Sequence, residues 1–200
     1  GGGGKIEIQT DGSILSDGNF LVRSREQFVK QCYMTAVFDL PTDQSTLRGN
    51  RTENWHVWDV ATVVAYIKNR YGLPVWLVGT SRGTMTIGYV GAQLSKSING
   101  VAFTASMDDA AHLPLNQITV PAFVMHHARD DCFVTNPSSA KDIAKGLVKS
   151  PKVELLFLNG GIDQGISCQA QSHHGFNGIE DEAVGKIAGF INQTLKRSLN

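Results

Sequence analysis

The sequence predicts an α/β protein with a mostly parallel sheet of about five or six strands and helices on both faces. Short runs that are apolar on both faces recur along the chain, and amphipathic stretches separate them. Gly79-Thr80-Ser81-Arg82-Gly83 directly follows one such run and opens a helix, a corner typical of a strand feeding a helix. The composition fits: 200 residues, 42% hydrophobic and 18% charged, with 18 Lys+Arg against 18 Asp+Glu. That describes one globular domain, 1–200, with a substantial core. Zero net charge without a Lys/Arg cluster gives no ground for a nucleic-acid partner. No apolar run approaches a membrane-spanning length, and no signal peptide is visible.

Taken in order, Gly1–Gly4 reads as a loop or a tag scar, and residues 5–20 as a hairpin or loop around Thr10-Asp11-Gly12-Ser13. Ser24–Cys32 has helical spacing, with Ser24 as N-cap and Cys32 at a packing position. Tyr33–Leu40, apolar and stopped by Pro41, predicts a buried strand. Thr42–Asn54 is a polar loop. Trp55–Tyr71 is an amphipathic helix, with Trp58 in the core, stopped by Gly72 and Pro74. Val75–Val78 is a strand and Thr84–Leu94 the helix after the serine, where Gly83, Gly88 and Gly91 permit close approach to the sheet. Strands follow at Val101–Ala105, Ala122–His126 and Val153–Leu158, with helices at Pro137–Val148 and Glu180–Leu195.

Ser81 is the candidate nucleophile. An alcohol needs an adjacent base, and ligands of such sheets bind at the carboxyl ends of the strands. His173 and His174 both lie between the last strand and the last helix, and spacing alone separates them poorly. His126 and His127 end a strand and read as structural or site-lining; His56 and His112 read as ordinary, partly buried histidines. Asp130 and Asp131 are candidates for the acid that orients the imidazole; Asp108 and Asp109 are weaker and suit helix capping. Neighbours on a strand point to opposite faces, so neither His-His pair reads as a chelate, and no metal or cofactor is expected. Three cysteines, an odd count, read first as buried thiols.

The order Ser81, Asp130, His174 resembles the catalytic order of the α/β-hydrolases. Gly79–Gly83 resembles their nucleophile elbow, His126-His127-Ala128-Arg129-Asp130 the strand end that carries the acid, and His174-Gly175-Phe176 the histidine loop. The resemblance runs from Tyr33 onward. It implies a serine esterase with Ser81 as nucleophile, Asp130 as acid (Asp131 the alternative) and His174 as base. Gly1–Gly4 stands where the family's oxyanion loop would be, without that motif's His and without the strands that precede it. The implied oxyanion donors are the N–H of Arg82 and one of Gly2, Gly3 or Gly4. The same map implies a Cys132–Cys168 disulfide tying the acid loop to the base loop, and with it an extracytoplasmic location. Cys32 is then the odd buried thiol.

The short Ala105–Pro121 connection leaves no room for a large lid, which suits a small soluble carboxylic ester. Trp55, Met107 and Phe176 are candidate acyl-pocket residues. If upstream strands are absent, Tyr33–Leu40 is an exposed edge and a homodimer forms through it. Rival readings are a non-catalytic hydrolase-like binding domain and a peptidase or thioesterase of the same fold. A haloalkane or dienelactone-type enzyme would need Asp or Cys in place of Ser81.

Overall fold

The computed structural model describes residues 1–197. Its sheet has four parallel strands in chain order: β1 (Trp76–Ser81), β2 (Gly100–Ser106), β3 (Ala122–His127) and β4 (Val153–Leu158). The helices are α1 (Phe20–Arg23), α2 (Arg25–Lys30), α3 (Asn54–Tyr71), α4 (Gly83–Gln93), α5 (Pro137–Gly146) and α6 (Glu180–Arg197). Two short 3₁₀ turns, Asp108–His112 and Leu115–Gln117, make up most of the connection from β2 to β3.

Strand periodicity divides the core between the two faces. Val101 and Phe103 of β2, with Ala122 and Val124 of β3, pack in a cluster that includes residues of α3, α4 and α5. The alternate residues Ala102, Phe123 and Met125 pack with Phe20, Phe28 and the inner face of α6. Phe190 of α6 stacks on Phe123 with ring centroids 5.1 Å apart and meets Trp76 edge-on at 5.8 Å. β2 and β3 are buried along their whole length, as the continuous apolar runs require.

The sheet has four strands rather than five or six because Tyr33–Leu40 forms none. A strand exists only by pairing, and no described segment pairs with these residues or with the outer edge of β1. Ala36, Val37 and Phe38 instead border a groove whose other wall includes β1 residues 76–81. Asp39 closes the end of this segment: its carboxylate accepts the N–H groups of Ile6 and Ile8 at 2.7 and 2.8 Å. The turn expected within residues 5–20 is present as a single antiparallel bridge, Ile8 to Ile14.

Two further expectations are corrected. Cys32 is exposed, not buried; α2 ends at Lys30, and Cys32 follows with φ of 64°, so helical spacing no longer sets its direction. Trp58 is 70% exposed, because α3 turns His56, Val57, Val60 and Val64 inward and leaves Trp58 on the outer face.

Candidate active site

The corner after β1 is strained in a specific way. Ser81 has φ of 52°, which a non-glycine residue adopts only when its surroundings enforce it. Several contacts do so. Gly79 lies so close to the first turn of α4 that a Cβ there would sit 2.6 Å from the Gly83 carbonyl oxygen. Thr84 Oγ1 donates to the Ser81 carbonyl at 2.6 Å and accepts the Met107 N–H at 3.1 Å, fixing the corner to the end of β2. There the register skips Ala105, itself at φ of 42°, so Thr80 faces Thr104 while Ser81 faces Ser106. The Arg82 N–H donates to no described group.

After β3, the chain turns through Asp130 into a buried hydrogen-bond cluster. Asp130 Oδ2 accepts from His174 Nδ1 at 2.9 Å, His126 Nε2 at 3.1 Å and Thr135 Oγ1 at 3.1 Å, while Oδ1 accepts the Cys132 N–H at 3.0 Å. Burial raises the pKa of this carboxyl, but the bonds from His126 and His174, the His174 charge and the Cys132 N–H outweigh it. The net result lies well below the usual carboxylate range, so Asp130 is an anion. An anionic carboxylate only accepts, which places a proton on His174 Nδ1, so that in the neutral ring the lone pair is on Nε2. His126 Nε2 also lies 2.9 Å from the Thr135 carbonyl, so it too carries a proton; its Nδ1 is buried without a partner.

Of the residues singled out from sequence, the structure thus joins Asp130 to His174 and not to His173. His173 stacks on His127 with centroids 4.2 Å apart, and its Nδ1 is 3.6 Å from Asp163. Asp131 is exposed and Asp108 binds the Asn136 N–H and the Ser139 hydroxyl. Ser81 and His174 border one groove of about 770 Å³, with no hydrogen bond between them. Met107 borders it too; Phe176 is wholly buried against Phe20, and Trp55 lies outside it.

Gly1–Gly4 borders the same groove. Arg51 Nη2 donates to the carbonyls of Gly1 and Gly2 at 3.3 and 3.0 Å, and its Nη1 to Thr86 Oγ1 of α4 at 3.0 Å. In a planar trans peptide the N–H points opposite to the C=O. Arg51 therefore turns the N–H groups of Gly2 and Gly3 away from itself, and neither donates to a described group. Burial, and then the charge of Arg82, lower the Arg51 pKa to about 10.

Cys132 and Cys168 are bonded, with Cα atoms 4.6 Å apart, and join the loop of Asp130 to the loop of His174. Two contributors escaped the sequence reading: Thr135 and Arg51 lie in loops with no pattern to mark them. His126, read as structural or site-lining, is four residues before Asp130, and the turn between them brings its ring back to the carboxylate. Among the described residues, no cluster of three or more His, Cys, Asp or Glu side chains is placed to hold a metal.

A strained serine corner at the carboxyl edge of a parallel sheet marks a class of α/β proteins that share one architecture and differ in chemistry. Within that class the chain belongs to the alpha/beta hydrolase fold family, whose sequence model matches residues 33–198. Among solved structures it is similar to a protein of unknown function from Agrobacterium tumefaciens described as an alpha/beta hydrolase. The identity there is 14%, over 96% of this chain and 84% of that one, with a TM-score of 0.63. It is also similar to Est1E from Butyrivibrio proteoclasticus, at 10% identity over 70% and 69% of the two chains, with a TM-score of 0.54. At such identities the likeness is one of fold. No curated protein matches the sequence. Among the described residues, no helix is long and apolar enough to cross a membrane.

Proposed function

We propose that this chain is a serine hydrolase that cleaves small carboxylic esters through an acyl-enzyme. The observation that carries the reading is the buried Asp130–His174 pair, 2.9 Å apart, whose His174 borders the groove that the strained corner of Ser81 also borders. With its proton fixed on Nδ1, His174 offers Nε2 as the base. Ser81 Oγ attacks the ester carbonyl as Nε2 takes its proton, and the same proton then goes to the departing alcohol. Asp130 orients the ring and stabilises its cationic form. The developing oxyanion is met by the N–H of Arg82 and an N–H of Gly2 or Gly3, held by Arg51; one such donor contributes on the order of 3 kcal/mol. Water, activated by His174, releases the acid. The Ser81–His174 hydrogen bond forms with substrate bound, as catalytic contacts often do. The disulfide supports an extracytoplasmic setting, and the unpaired edge of β1 supports pairing with a second copy.

The test is labelling with a fluorophosphonate probe, followed by hydrolysis of p-nitrophenyl esters of increasing acyl length. Wild type labels and favours short chains, whereas Ser81→Ala neither labels nor retains more than about 10⁻⁴ of the activity. Equal labelling of the two proteins overturns the reading and favours a binding domain.

A further inference from the structure

The charges around the groove are segregated. In a chain of zero net charge, the groove beside Ser81 is bordered by Lys5, Arg48, Arg51 and Arg82 and by no Asp or Glu side chain. Lys5 is matched by Glu7 at 3.1 Å. Arg51 is committed to Thr86 and to the carbonyls of Gly1 and Gly2, and its buried Nε has no partner. The guanidinium groups of Arg48 and Arg82 make no hydrogen bond and no ion pair with any described residue. A recess of about 180 Å³ adjoins the groove, and Arg48, Arg51 and Arg82 all border it, with the exposed Asp109 as its one carboxylate. Arg51 and Arg82 are close enough for repulsion to register on the buried member. Three guanidinium groups against one carboxylate leave an excess of positive charge next to the proposed nucleophile, which an anion would offset.

Resting on the serine-hydrolase reading, we propose that Arg48 and Arg82 form a subsite for an anionic group of the substrate, so that the preferred esters carry a carboxylate or a phosphate. The guanidinium fork pairs two N–H donors with two oxygens of either group. Arg82 adjoins Ser81 in the chain, which places the anion near the scissile bond; Arg51 adds field from behind without contact. Asp109 is exposed and is the one carboxylate that borders the recess.

The experiment compares related esters with and without an anionic group. These are 4-acetoxybenzoate against its methyl ester, 4-acetoxyphenyl phosphate against phenyl acetate, and monophenyl adipate against phenyl hexanoate. The readout is the ratio of kcat/KM for the charged and neutral members of each pair, which cancels any loss of folded enzyme. Wild type favours at least one charged member by about tenfold or more, mainly through KM, and the preference shrinks with added salt. Arg48→Gln and Arg82→Gln each reduce the ratio about tenfold, and Arg48→Lys restores part of it. The first and second pairs separate carboxylate from phosphate as the favoured group. An enzyme that labels at Ser81 and cleaves the neutral members as well as the charged ones overturns the subsite and leaves the hydrolase reading intact. If Ser81 does not label and no ester is cleaved, the hydrolase reading falls. Calorimetric titration with benzoate and inorganic phosphate then decides the subsite: binding that Arg48→Gln weakens supports it, and absence of binding overturns it.

Discussion

His56 and Asp130 are both buried titratable side chains, and burial acts on them with opposite outcomes. At Asp130, three side-chain donors and a backbone N–H more than offset the cost of burying a charge. At His56, burial and then the charge of Arg51 both disfavour the cation, and the pKa falls to about 4. The neutral ring keeps one bond, Nε2 to Thr86 Oγ1 at 3.0 Å, on the hydroxyl that also meets Arg51. Between pH 4 and 6.5 the unfolded chain holds a proton at this residue that the folded chain does not. Stability therefore rises with pH across that window, with this contribution complete above 6.5 and lost as pH falls toward 4. Urea unfolding of wild type and His56→Asn at several pH values measures it: the wild-type slope is the steeper, and parallel slopes would contradict the assignment.

At the scale of elements, α6 packs on the sheet through an apolar face of Ala183, Val184, Ile187, Phe190 and Ile191, in which Phe190 makes the ring contacts. Phe190 is nearly fully buried between Phe123 and Trp76, and Lys152 extends its ammonium over the same ring at 4.5 Å from the centroid. Phe190→Ala removes the ring and leaves a cavity that close-packed neighbours fill only in part, at a cost of about 3–5 kcal/mol. Chemical denaturation monitored by circular dichroism reads this directly, and a loss below about 1 kcal/mol would show that α6 collapses onto the sheet without it. Among the described residues, β1 pairs with β2 alone and no strand lies on its other side, because Tyr33–Leu40 has the composition of a strand but no partner.

Across the whole molecule, the residues of the proposed triad come from the end of one strand and from the connections after two others. Ser81 ends β1, Asp130 follows β3, and His174 lies on the long connection from β4 to α6. The Cys132–Cys168 bond joins the second and third of these across 36 residues of sequence, which in the chain-entropy model stabilises the fold by about 3–4 kcal/mol. Cys168→Ser is expected to lower Tm by about 6–12 °C and to reduce esterase activity, since the loop of His174 gains freedom relative to Asp130. Calorimetry together with p-nitrophenyl ester assays checks both. An unchanged Tm would mean that the packing of Phe176 and the hydrogen bonds of Asp130 already fix the two loops.

The parallel α/β architecture and the elbow of Ser81 were legible in the sequence because each rests on local pattern; the candidates Asp130 and His174 came from chain order and resemblance, with Asp131 and His173 beside them. Strands buried on both faces announce themselves as apolar runs, and a tight corner demands small residues around its serine. What lies between distant segments was not legible. Only the tertiary structure leaves Tyr33–Leu40 unpaired, turns Trp58 to solvent, gives Asp130 to His174 rather than to His173, and sets Arg48, Arg51 and Arg82 together beside Ser81. The physical reason is the same in each case: pairing, burial and charge balance depend on neighbours that the chain brings into contact only when it folds.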